Sequence, residues 1–205
     1  MIELFVSSLI TFFVVIDPPG CAPIYAGLTG GASPVHRRTM AIRAVGVAAA
    51  ILLVFALFGE ALLHGLGIEL ASFRVAGGIM LFLIALEMVF EKRTQRREDR
   101  AAKVSPDEAE DVSIFPMAMP MIAGPGSIAS VMLLMSRNEG LDRSLVILAA
   151  LGTILVLTLA ALLAAGPIMR LLGAKIEAVI TRLLGVLLAA LAVQFVIDGL
   201  EATLR

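Results

Sequence analysis

Val14-Val15-Ile16-Asp17-Pro18-Pro19-Gly20-Cys21-Ala22-Pro23 sets three prolines and a glycine inside an apolar run long enough to cross a bilayer. The device recurs in Pro120-Met121-Ile122-Ala123-Gly124-Pro125-Gly126-Ser127, where Pro125-Gly126 follows Pro19-Gly20 at a shift of 106 residues. Proline lacks a backbone donor and glycine costs a helix backbone entropy, so both runs are expected to be interrupted near their centres. Backbone groups freed inside hydrocarbon persist only against protein or a wet cavity. Two such breaks therefore mark a candidate binding site, with a merely kinked structural helix as the competing reading.

Composition agrees with a membrane setting. Of 205 residues, 60% are hydrophobic and 16% charged, and the mean hydropathy is +1.00. Soluble domains run at roughly 45–50% apolar and 25% charged. The reading is an integral membrane protein with no room for a sizeable soluble domain. A net charge of −1 gives no reason to expect a nucleic-acid partner. Cys21 is the only cysteine, which excludes an intrachain disulfide and a thiolate metal cluster. The start, Met1-Ile2-Glu3-Leu4-Phe5, lacks the basic region of a cleaved signal, so its apolar run is expected to be a retained span.

A span needs about 20 predominantly apolar residues. Six candidates follow: 3–28, broken at 17–20; 41–58; 73–90; 112–135, broken at 124–126; 144–165; and 178–198. One long hydrophilic connection, 91–111, separates the halves 1–90 and 112–205 and reads as a solvated tether. The connections after spans 1, 3 and 5 hold eleven basic residues, among them Arg37, Arg38 and Arg43, against three on the other side, Arg137, Arg143 and Arg205. By the positive-inside rule those connections are cytoplasmic and both termini lie outside. The expected location is the cell inner membrane.

The chain also matches itself. Gly65-x3-Glu69-x4-Arg74-x2-Gly77 recurs as Gly173-x3-Glu177-x4-Arg182-x2-Gly185, every position shifted by 108. Each half holds three spans, an odd number, so the second half must enter the membrane inverted relative to the first. The expected fold class is an all-α integral membrane protein of six transmembrane helices in two inverted three-helix repeats. Spans 1 and 4 are expected to be broken at mid-membrane. Inverted repeats with discontinuous helices are a common layout of secondary transporters, with the site near the midplane.

Asp17 stands where a charge costs at least about 2.5–3.5 kcal/mol on insertion scales. A cation, a proton or water would offset that cost, and so would capping of the half-helix that begins at Pro18-Pro19. The second break has no carboxylate. Its bare amides suit an anionic group such as a substrate carboxylate. A small zwitterion would then meet an acceptor side at Asp17, Pro19, Gly20 and Cys21, and a donor side at Gly124, Pro125, Gly126 and Ser127. Ser127 and Ser130 are expected either to line that space or to bond their own helix carbonyls. Arg74 and Arg182 start spans 3 and 6, as snorkelling residues or as a gate between halves. Gln194 is expected to find a partner inside the bundle. Small residues in spans 2 and 5, such as Gly46, Ala48, Ala150 and Gly152, are expected to serve close packing. Neither His36 nor His64 has ligand spacing around it, and no catalytic triad or P-loop appears, so no enzyme activity, metal or cofactor is expected. An energy source would be an ion gradient, or there is none.

Four motifs in order resemble the MarC family, also called the small neutral amino acid transporter family. They are Asp17-Pro18-Pro19-Gly20-x2-Pro23; Phe73-Arg74-Val75-Ala76-Gly77-Gly78-Ile79; Pro116-x3-Pro120-x2-Ala123-Gly124-Pro125-Gly126; and Ala192-Val193-Gln194-Phe195-x2-Asp198-Gly199. The resemblance covers nearly the whole chain except the tether. It implies a six-span inverted-repeat transporter of small neutral amino acids such as glycine and alanine, with Na⁺ or H⁺ as coupling ion. Two positions depart from the family pattern: Cys21 stands where relatives commonly carry Asn, and Ala129 breaks a common hydroxyl pair before Ser130. Those departures favour a less polar ligand or weaker binding. The competing functions are a passive channel, an exporter of other small metabolites and a non-transporting membrane scaffold.

Overall fold

The computed structural model describes residues 1–90, 111–138 and 140–204, and of 168–178 and 204 only the backbone course. Among the described residues, eight helical elements follow one another: α1 (Ile2–Ile16), α2 (Pro18–Leu28), α3 (Pro34–Gly65), α4 (Leu70–Val89), α5 (Ser113–Ile122), α6 (Pro125–Arg137), α7 (Leu141–Leu163) and α8 (Ala165–Leu204). The described residues contain no strand. Among them, five segments are long and apolar enough to cross a membrane, with Ile2–Leu28 counted as one. The pair α5–α6, bent by 51°, makes a sixth. Side chains such as Phe58, Val156 and Leu183 are each more than 60% exposed on the helix surfaces. An apolar exterior of this kind requires lipid around it.

Several helices exceed their expected spans. α3 begins well before residue 41 because Ser33 caps it, accepting the His36 amide at 3.3 Å, and Pro34 occupies its first turn. Its 32 residues reach about 48 Å at 1.5 Å per residue, against about 30 Å of hydrocarbon. Arg37, Arg38 and Arg43, expected in a connection, thus lie on the helix itself. α8 likewise runs through 166–177, where a connection is expected from the sequence. Hydropathy marks only the hydrocarbon part of a helix; the polar ends continue helical where no breaker stops them. The tether, apart from Asp111, lies outside the described residues.

α4 and α8 lie along each other. Glycines set their approach: a Cβ on Gly78 would stand 2.8 Å from the Ala192 carbonyl oxygen, and one on Gly199 2.9 Å from the Val75 amide nitrogen. Gly185 is closed in the same way by Met88 and the Ala85 carbonyl. The close packing expected of spans 2 and 5 is only half met. Ala48 and Ala150 are fully buried, whereas a methyl added at Gly46 or Gly152 would meet no atom within 4 Å. Backbone-to-backbone approach occurs between spans 3 and 6 instead.

Contacts at the two ends fix the chain direction. Arg43, near the start of α3, pairs with Asp111 just ahead of α5. Arg37 reaches back from α3 to the carbonyls of Thr29 and Gly30 beyond the end of α2, at 2.7 and 2.8 Å. At the opposite end, Arg74 near the start of α4 donates to the Ser136 carbonyl at the end of α6, at 3.1 Å. The α1–α2 segment therefore runs toward the end from which α5–α6 departs.

Candidate functional site

Asp17 leaves the helix alone; Pro18, Pro19 and Gly20 already form the first turn of α2. The first interruption is thus a single residue rather than the four expected. Its φ of 59° is left-handed, a region that Asp tolerates better than most side chains. Asp17 closes α1 by donating its amide to the Phe13 carbonyl at 2.9 Å. It opens α2 by accepting the Gly20 amide on Oδ1 at 3.1 Å. The residue is 1% exposed, so the capping reading is met at a buried position. Cys21 is buried one turn on, its thiol turned back to the Ile16 carbonyl at 3.5 Å. Here it seals the corner between α1 and α2. Pro19 is half-buried.

The second interruption is larger. α5 is wound with π-type bonds, Met117 donating to Val112 and Ala123 to Ala118, and leaves helical geometry at Phe115 and Met119. The residues before Pro116 and Pro120 are extended, as the steric demand of a following proline ring requires. Those two prolines are a sequence signal of the irregular course that the motif at Gly124–Gly126 overshadows. Gly124 then caps α6 without a side chain. A Cβ there would lie 2.3 Å from the Pro120 carbonyl oxygen, so only glycine passes. Pro125 is exposed, whereas Gly126 and Ser127 are buried.

The two interruptions come together. A Cβ on Gly126 would stand 3.2 Å from Val15 Cγ1 on α1 and 2.6 Å from Ile84 Cδ1 on α4. One turn further along α6, Ser130 is 0% exposed, and its hydroxyl has no hydrogen-bond partner among the described residues. Thr11, Thr29 and Thr158 instead donate to carbonyls four residues back. Self-satisfaction was the competing expectation for Ser130, and its Oγ does not follow it. An unmet buried hydroxyl costs about 1–3 kcal/mol. Ser8 on α1, seven residues before Val15, is a second fully buried hydroxyl without a described partner.

The outlying candidates fall elsewhere. Arg74 joins the two halves through the Ser136 carbonyl, not through a carboxylate. Arg182 is exposed on α8. Gln194 does not turn into the bundle: it is exposed and donates to Asp198 Oδ1 at 2.8 Å on its own helix. An i,i+4 partner satisfies the amide locally, so burial is unnecessary. Sequence reasoning missed Arg137, which pairs with Asp198 at 2.5 Å and lies 5.4 Å over the Phe195 ring. Together with Arg74 it pins the end of α6 against α4 and α8. No group of three or more His, Cys, Asp or Glu placed to hold a metal occurs among the described residues.

The family model described as MarC family integral membrane protein matches residues 2–204. The chain belongs to the MarC family. This MarC protein is 37% identical over 207 residues to a UPF0056 membrane protein of Methanocaldococcus jannaschii, covering 99% of this chain and 98% of that one. It is 34% identical to a UPF0056 membrane protein of Archaeoglobus fulgidus, covering 99% and 95%. With YhgN, a UPF0056 inner membrane protein of Escherichia coli strain K12, it shares 30% identity over 98% of each chain. No solved structure matches it significantly.

Proposed function

We propose that this MarC protein is a secondary transporter of small neutral amino acids, working by alternating access around the two interrupted helices. The observation that carries the reading is the meeting of the two breaks, with the orphan Ser130 hydroxyl one turn away. A fully buried donor without a partner fits a ligand or water that the fold is built to admit. Asp17 would face the substrate ammonium or a coupling Na⁺ or H⁺. The uncapped α6 amides at Gly126 and Ser127 would face its carboxylate. No covalent step and no cofactor enters.

Support for an inverted repeat comes from how the helices pair. Exchanging the halves turns α1 into α5, α2 into α6, α3 into α7 and α4 into α8. Under that exchange α1 on α7 becomes α5 on α3, α2 on α7 becomes α6 on α3, and α2 on α8 becomes α6 on α4. All of these pairs touch, and α4·α8 and α3·α7 map onto themselves. The opposed directions of α1–α2 and α5–α6 fit the same inversion. Burial of Asp17, Ser127 and Ser130 at 1, 2 and 0% exposure fits an occluded state. The first test is a thermal-shift screen of the purified protein against amino acids, with and without Na⁺ and at two pH values. Stabilisation by glycine or alanine is expected; none by any small zwitterion would count against the reading. The setting would be the cell inner membrane, with both termini outside.

A further inference from the structure

A cavity of about 420 Å³ opens where the end of α2 and the start of α3 face the α7–α8 corner. Its wall is apolar, from Ala26, Leu162 and Leu163, and its rim carries Arg37 and Arg38 beside Pro34. No acidic residue lines it among the described residues. Arg37 is held by the Thr29 and Gly30 carbonyls through Nε and Nη2, which leaves Nη1 uncommitted among these bonds. The Tyr25 hydroxyl donates to the Arg37 carbonyl and steadies the same turn. Arg38 is exposed and makes no ion pair among the described residues. The first residues of α8, Ala165, Gly166 and Pro167, complete the lining.

We infer that this cavity is a binding site for an anionic phospholipid, its phosphate at Arg37 and Arg38 and an acyl chain along the Leu162–Leu163 wall. A fixed guanidinium beside a free one suits a phosphate, which takes paired N–H donors. The half-apolar, half-basic shape excludes a fully hydrated anion as the best fit and favours a molecule with both characters. The site also lies at the end of the molecule that the basic residues assign to the cytoplasmic leaflet, where basic pockets between helices take anionic headgroups. It does not depend on transport and stands apart from the two breaks.

Native mass spectrometry of the purified full chain in detergent, given equal phosphatidylglycerol and phosphatidylcholine, tests the assignment. Retention of phosphatidylglycerol over phosphatidylcholine is expected. Arg38→Gln should weaken it about fivefold, as loss of one cation near an anionic lipid implies. Arg38→Lys should restore most of it, and Arg143→Gln, at the other end, should leave it unchanged. Equal retention of the two lipids, or insensitivity to Arg38→Gln with the protein monodisperse, would overturn the assignment. So would Arg38-dependent thermal stabilisation by inorganic phosphate without retention of the lipid.

Discussion

Asp17 ends one helix with its amide and starts the next with its carboxylate, in a left-handed conformation that few side chains accept. Asn shares both abilities, so Asp17→Asn should keep thermal stability near the parent value. Asp17→Ala loses the cap and strains the backbone, and should cost about 2 kcal/mol in denaturation measured in detergent. Ser130 should behave oppositely. Removing an orphan hydroxyl by Ser130→Ala should raise stability by about 1 kcal/mol while weakening amino-acid binding, a split that isothermal calorimetry resolves. Asp111 adds a pH signature. Burial pushes its carboxyl up, but hydrogen bonds from Ser113 and the Arg43 charge outweigh that and hold it below its ordinary 3.8. A lowered folded value means the unfolded chain binds the proton more readily, so the stabilisation is present above about pH 4 and is lost as pH falls through the folded value. Melting curves of the parent should therefore drop below pH 4 more steeply than those of Asp111→Asn. Asp17 was readable because Asp-Pro-Pro-Gly carries its own cap chemistry. Arg137 with Asp198 was not, because their pairing is a property of how α6 meets α8.

Helix identity was legible and helix extent was not. Runs of apolar residues locate spans, but the charged turns of α3 around Arg37 and Arg43 read as connection although they are helical. The irregular course of α5 was written in Pro116 and Pro120, four residues apart, and needed only the rule that a residue before proline avoids helical geometry. Small residues advertise tight packing without saying which face they occupy. Gly78 faces α8 backbone, so Gly78→Ala should part α4 from α8 and cost about 2 kcal/mol as overpacking. Gly46→Ala and Gly152→Ala, on open faces, should be neutral or stabilising by about 0.5 kcal/mol, since alanine is the better helix former. Parallel melting of the three variants separates the two classes.

The molecule as a whole reads as two halves interleaved rather than two bodies side by side. Each discontinuous segment is held by helices of the other half: α1 and α2 by α7, and α5 and α6 by α3. On the proposed reading, one half would rock against the other around the point where Gly126 meets Val15. The ion pair Arg43–Asp111 and the contacts of Arg137 and Arg74 sit at opposite ends. The proposed carrier would exchange a bound substrate without leaking, which a passive channel and a scaffold would not. Counterflow of labelled alanine in proteoliposomes preloaded with unlabelled alanine is the direct measurement. Transient, saturable accumulation of label is expected, abolished in Gly126→Leu, where a side chain would fill the meeting point of the breaks. No counterflow by the parent, or counterflow that survives Gly126→Leu and Asp17→Ala alike, would contradict transport at this site.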